Sequence, residues 1–158
     1  MKIAVISDTH GNIEPCINIL KDIDNIDLII HLGDNTNDAK DIADILQIET
    51  IAVKGNCDFY DNSSPDEKII DVDNKKIFIT HGHKYRVKSD LNSIYYRGKE
   101  INADIVLFGH SHNPILVKYD DILFMNPGSG SLPRAGSKKS IGLIEINDMV
   151  DAQILKLK

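Results

Sequence analysis

Five short polar segments carry most of the residues in this chain that could do chemistry. They are Asp8-Thr9-His10-Gly11-Asn12, Gly33-Asp34-Asn35, Gly55-Asn56-Cys57-Asp58, His81-Gly82-His83 and Gly109-His110-Ser111-His112, and each follows an apolar run. Five of the six histidines belong to these segments, and His31 lies just before the second. Carboxylates packed together repel, so aspartates gathered beside imidazoles imply a cation that offsets the repulsion. Imidazole and carboxylate donors suit borderline first-row ions. The two cysteines, Cys16 and Cys57, lack the spacing of a structural zinc site. Candidate donors outnumber what one ion needs, so two ions sharing a carboxylate is the natural reading. Such a pair, about 3.5–4 Å apart, clamps the attacking and leaving oxygens of an in-line displacement and acidifies a water. Glycines at positions 11, 33, 55, 82 and 109 allow the tight turns this requires.

The elements that must present these segments can be read from apolar periodicity. Lys2–Ser7 is a continuous apolar run, the pattern of a buried parallel strand. A helix capped by Asn12, with Pro15 in its first turn, is expected through Asp22. A strand over Leu28–Leu32, a helix over Asn37–Leu46 and a strand over Thr50–Lys54 follow. The second half is richer in strands. Lys68–Val72 and Lys76–Thr80 flank a turn at Asp73-Asn74-Lys75, and Ser89 can cap a helix through Ile101. Ile105–Phe108 reads as a strand. Ile115–Tyr119 and Ile122–Met125 turn at Asp120-Asp121, and Ile141–Ile146 and Val150–Leu157 turn around Asn147-Asp148. So many strands with three helices predict an α/β protein of two stacked sheets with helices outside. Loops at the carboxyl ends of its strands would gather at one edge, where ligands bind.

Length and composition fit that picture. A chain of 158 residues with 42% hydrophobic and 27% charged residues predicts one domain over 1–158 with a real core. No apolar stretch reaches membrane-spanning length, and the N-terminus has no signal-peptide pattern, so a cytoplasmic protein without membrane association is expected. Two cysteines give no disulfide framework. The net charge of −6 and pI of about 5.4 argue against a dedicated nucleic-acid groove. They leave room for a small phosphate ester, because bound cations reverse the local field.

The ordered series D-x-H, G-D, G-N-x-D, H-G-H and G-H-x-H, continued by Asn126-Pro127-Gly128-Ser129, closely resembles the calcineurin-like metallophosphoesterases. With no cap inserted, the chain is similar to the compact phosphodiesterases of bacteria and archaea. The resemblance implies a four-layer sandwich, helix–sheet–sheet–helix, of two mixed sheets. It implies one metal held by Asp8, His10, Asp34 and His112, and a second held by Asp34, Asn56, His81 and His110. Asp34 would bridge the two ions together with the attacking hydroxide, which makes Asp34 and Asn56 the catalytic pair. Manganese is the expected ion, with nickel, iron, cobalt or zinc as alternatives. Many family phosphatases place a histidine after Gly-Asn to protonate the leaving oxygen, where this chain has Cys57. A thiol of pKa about 8.5 is a weaker donor. An alkyl monoester would miss that proton most, and a diester with an acidic leaving group least, so phosphodiester hydrolysis is expected. A phosphomonoesterase, a nuclease, and a non-enzymatic scaffold such as the family-like retromer subunit are the alternatives. A homodimer or higher oligomer is left open.

Other residues are read more plainly. His31 is expected as a packed histidine that could orient a ligand, and His83, on a strand-like stretch, to share the face of His81. Asp58 either orients a neighbour or forms a turn. Cys57 has no base to make it a nucleophile, and Cys16 belongs to a helix core. Arg86, Arg97, Arg134, Lys54 and Lys84 are expected on the surface. Asn126–Gly136 is expected as a structural loop, and Tyr95-Tyr96 as helix packing, with an aromatic pocket or subunit contact as the alternative.

Overall fold

Continuous apolar runs become strands that are buried on both faces. The computed structural model describes Met1–Lys158. In the first sheet β1 (Lys2–Ile6), β2 (Leu28–His31) and β3 (Thr50–Ala52) run parallel, joined by α1 (Glu14–Lys21) and α2 (Thr36–Leu46). The second sheet contains β4 (Glu67–Val72), β5 (Lys75–Thr80), β6 (Ile105–Leu107), β7 (Ile115–Tyr119) and β8 (Ile122–Asn126), with α3 (Asn92–Glu100) between β5 and β6. Its order is β4-β5-β6-β8-β7, with a parallel centre β5-β6-β8 and antiparallel edges. β9 (Ser140–Ile146) and β10 (Val150–Lys156) return to the first sheet and complete the order β10-β9-β1-β2-β3.

Alternation along each strand divides the apolar residues among three cores. Ile3 and Val5 face the other sheet and pack with Ile77, Ile79, Ile105 and Leu107. Ala4 and Ile6 face outward and meet Cys16, Ile17, Leu20 and Ile42 of α1 and α2. Phe78, Val106 and Phe108 pack with Ile94 of α3. The layers are therefore helix, sheet, sheet, helix, as expected. No helix is long and apolar enough to cross a membrane.

Local signals were followed in some places and overridden in others. Asp73-Asn74 and Asp120-Asp121 each place both residues at positive φ, the hairpin geometry that matches strand twist. Lys75 belongs to β5 and pairs with Val72, so it lies outside the turn. Asn12 does not cap α1. Its N–H closes a turn on Thr9 O (3.0 Å), and the helix begins after Ile13 without a side-chain cap. Ser89 does not cap α3 either. Asp90 Oδ1 accepts the N–H of Asn92 (2.9 Å), and the helix starts there. His83 opens a 3-10 turn, His83–Tyr85, in place of the strand-like stretch expected.

Candidate functional site

The carboxyl ends of the parallel strands converge, and their loops are tied to one another by backbone. Asp8 N–H donates to Gly33 O (3.1 Å), Gly109 N–H to His81 O (2.9 Å) and Gly130 N–H to Ser7 O (3.1 Å). Asp8, His10, Asp34, His110 and His112 all have positive φ. Each such residue carries roughly 1 kcal/mol or more of backbone strain, so the surroundings must impose the conformation. Two glycines permit the crowding. A Cβ at Gly55 would lie 2.1 Å from Asp34 Oδ1, and one at Gly109 would lie 2.0 Å from Ser7 Oγ.

The carboxylates of the first sheet are fixed by further carboxylates. Asp34 and Asn35 are consecutive left-handed residues, so the N–H groups around them point into one concavity. Asp58 fills it and accepts N–H bonds from Asp34 (2.9 Å), Asn35 (2.8 Å), Thr36 (2.8 Å) and Gly55 (2.7 Å). It thereby locks the β3 loop to the β2 loop and satisfies the start of α2. Asp38 does the same for the β1 loop. It accepts the Gly11 N–H (2.8 Å) and the Thr9 hydroxyl, and Thr9 Oγ lies 3.0 Å from His31 Nε2. Gly33 N–H donates to His31 Nδ1 (3.2 Å), which leaves the proton on Nε2 facing Thr9. Burial pushes this imidazole down to about 4, so it is a neutral packed histidine.

The histidines of the second sheet are fixed by carbonyls. His81 Nδ1 donates to Leu32 O (2.7 Å) and His112 Nδ1 to Leu132 O (2.6 Å), so each Nε2 is turned inward. His112 Nε2 lies 3.1 Å from Asp8 Oδ1 and 3.4 Å from His10 Nε2. His10 Nε2 lies 3.7 Å from Asp34 Oδ2. His81 Nε2 lies 3.4 Å from Asp34 Oδ1 and 3.2 Å from Asn56 Oδ1. The His110 ring stands edge-on to His81 at 5.1 Å, and the backbone N–H of His110 donates to Asp8 Oδ2 (3.1 Å). All seven expected donors therefore come together. They form two groups that could each hold a cation, Asp8, His10, Asp34 and His112 on one side and Asp34, His81 and His110 on the other, with Asn56 beside His81.

The electrostatics suit cation binding. Asp8 Oδ1 is buried without a hydrogen bond, although three histidine Nε2 atoms lie within 3.9 Å of it. Burial acts to raise Asp8 and Asp34, but the facing histidines hold both below the usual carboxylate range. Burial acts to lower His81, yet Asp34 and Asp8 carry it above the usual imidazole range, and Asp8 does the same for His112. Burial and the charge on His81 push His110 down to about 4. A divalent cation can enter such a cluster by displacing the shared protons, and imidazole, carboxylate and amide oxygen are donors it would accept.

Several supporting residues escaped the sequence reading. Asp38 carried no signal beyond being an acid in the first turn of a helix, which is common for dipole reasons. Asp58 was visible but ambiguous. The loop after β8 is structural, as expected, but it serves this site. Ser129 and Ser131 hydroxyls donate to Asp8 O (2.7 and 3.0 Å), and Asn126 Nδ2 donates to Gly109 O (2.9 Å). His83 is half-buried with its ring 5.5 Å from His81, and its Nδ1 has no partner. Arg97 is engaged by Glu67 and Glu100, and Lys84 by Asp66.

Known proteins resemble this chain in sequence and in fold. Residues 1–149 match the profile of the calcineurin-like phosphoesterase superfamily domain. The probable metallophosphoesterase YsnB of Bacillus subtilis is 37% identical over 150 residues, covering 94% of this chain and 86% of YsnB. The phosphodiesterase MJ0936 of Methanocaldococcus jannaschii is 34% identical, covering 81% of this chain and 83% of its own. A crystal structure of a predicted phosphoesterase from Streptococcus pneumoniae superimposes with a TM-score of 0.83 at 30% identity, covering 98% of this chain and 88% of that one. The profile match, the sequence relatedness and the likeness of fold agree, and the chain belongs to the calcineurin-like phosphoesterase superfamily.

Proposed function

We propose that this chain hydrolyses small phosphodiesters at a centre of two divalent cations. The observation that carries the reading is the placement of Asp34, 3% exposed, with Oδ2 toward His10 and Oδ1 toward His81. One carboxylate facing two donor groups is what a bridging ligand requires. Asp8, His10, Asp34 and His112 would hold one ion, and Asp34, Asn56, His81 and His110 the other. Manganese is the expected ion, ahead of nickel, iron, cobalt or zinc. When bound, the ions supply Lewis acidity and a water that ionises near neutral pH. The protein's part is to hold the imidazoles in one tautomer, orient Asn56 toward the ester and keep the carboxylates ionised.

Cys57 favours a diester over a monoester. Burial and the neighbouring Asp34 push its thiol up to about 11, so it gives up a proton still less readily than an ordinary thiol. The rest of the reading is a single domain over 1–158 without a cap, acting in the cytoplasm on a small ester. The phosphodiesterase named among the relatives supports the activity. The test is turnover of bis(4-nitrophenyl) phosphate with manganese or nickel, abolished by chelation. No turnover with any common divalent ion contradicts it.

A further inference from the structure

A groove of about 680 Å³ opens beside the donor cluster, with His10 and Cys57 among its lining residues. Its remaining lining comes from Asn35 and the start of α2 on one side, and from the loop between β3 and β4 on the other. We propose that this groove seats the organic group of the ester, and that this group is an uncharged heteroaromatic ring on the scale of a single nucleoside. The proposal rests on the phosphodiesterase reading and adds the substrate class.

Four observations carry it. The first is continuity. His10 belongs to the donor cluster, and Cys57 N–H donates to Asp34 Oδ1 (3.0 Å), so a phosphate held at the cluster has its substituent directed into this groove. The second is a pair of rings. Phe59 is 81% and Tyr60 97% exposed, large aromatic faces left in water at the rim. Every nucleobase offers a flat face that stacks on such rings. The third is the amides. Asn35, Asn37 and Asn62 line the groove, and their side chains can donate and accept at the edge of a polar ring. The fourth is charge. Lys40 is the single cation of the lining, set against Asp58 and Asp61. That balance does not attract a second phosphate, which separates a mononucleoside from a polyphosphate or a nucleic-acid strand. The volume lies within the usual range of small-ligand pockets, about 300–1,000 Å³.

The test is product inhibition of the manganese-loaded enzyme. Methyl 4-nitrophenyl phosphate serves as the chromogenic substrate, and competitive inhibition constants do not depend on the substrate that reports them. Inhibition constants are measured for adenosine 5′-monophosphate and for methyl phosphate, which share the phosphate and differ in the organic group. The nucleotide is expected to bind at least about tenfold more tightly, as one good stacking contact provides. In the Phe59→Ala/Tyr60→Ala double variant that ratio should fall to near one. Asn37→Ala, across the groove, should lower it severalfold. A ratio near one in the native enzyme overturns the proposal, as does a ratio that survives the double variant. Absence of turnover with the methyl ester and with bis(4-nitrophenyl) phosphate would instead overturn the phosphodiesterase reading itself.

Discussion

The two sheets hold their shares of the site by different means. The first sheet supplies Asp8, His10, Asp34 and Asn56, and its loops are clamped by the side chains of Asp38 and Asp58, which capture backbone N–H groups. The second sheet supplies His81, His110 and His112, and two of these rings are aimed by backbone carbonyls, Leu32 O and Leu132 O. A carboxylate has little preferred direction of its own, so the chain beneath it must be rigid. An imidazole needs one hydrogen bond to set both tautomer and plane. Side-chain substitution cannot remove a carbonyl anchor. The first sheet is therefore where second-layer mutations should damage the site most.

Substitution of Asp34, the carboxylate between the two donor groups, is expected to have the largest effect. Asp34→Asn should lower kcat/KM on an aryl phosphodiester by about 10³-fold, equivalent to about 4 kcal/mol of lost Lewis-acid stabilisation. A tenfold loss or less would mean that Asp34 does not bridge two ions.

Asp58→Ala comes next and acts through folding. It removes the acceptor of four backbone N–H bonds at once. The site is half-buried and water can reach part of it, so a loss of about 4 kcal/mol in urea unfolding is expected. Retention of native stability would show that the clamp is incidental.

His31 sharpens the comparison through pH. Burial holds its folded-state pKa at about 4, below the unfolded value of 6.5. On acidification the unfolded chain takes up the proton first. Stability from this group is intact above pH 6.5 and falls by about 3 kcal/mol as pH drops toward 4. His31→Gln keeps an N–H for Thr9 but does not titrate, so its unfolding free energy should fall by that much less over the same window. Parallel pH profiles would contradict the assignment.

Asp38→Asn should do least. It keeps one acceptor oxygen for the Thr9 and Gly11 bonds but loses charge. A 10–100-fold weaker manganese affinity by calorimetry is expected, with the fold intact. An unchanged affinity would place Asp38 outside the support of the β1 loop.

Much of this was legible from sequence because the central strands are buried on both faces and read as apolar runs. β1, β2, β5 and β6 were readable for that reason, and the five polar segments marked where each strand ended. Helix starts were not. Asn12 and Ser89 are good capping residues, yet the β1 loop draws Asn12 into its own turn, and Asp90 is better placed than Ser89. His83 follows a left-handed Gly82, which turns the chain into a 3-10 turn before a strand can continue. The seven candidate donors follow from the family resemblance of the ordered segments, and the fold brings them together. Asp38 and the serines of the β8 loop were not legible, because their partners are backbone groups 27 to 123 residues away.

The most direct test is anomalous diffraction from a crystal of the manganese-loaded protein. Two peaks about 3.5–4 Å apart are expected, one near His10 and His112 and the other near His81 and His110, with an oxygen of Asp34 within bonding distance of both. A single peak, or two that do not share Asp34, would contradict the bridging role of Asp34.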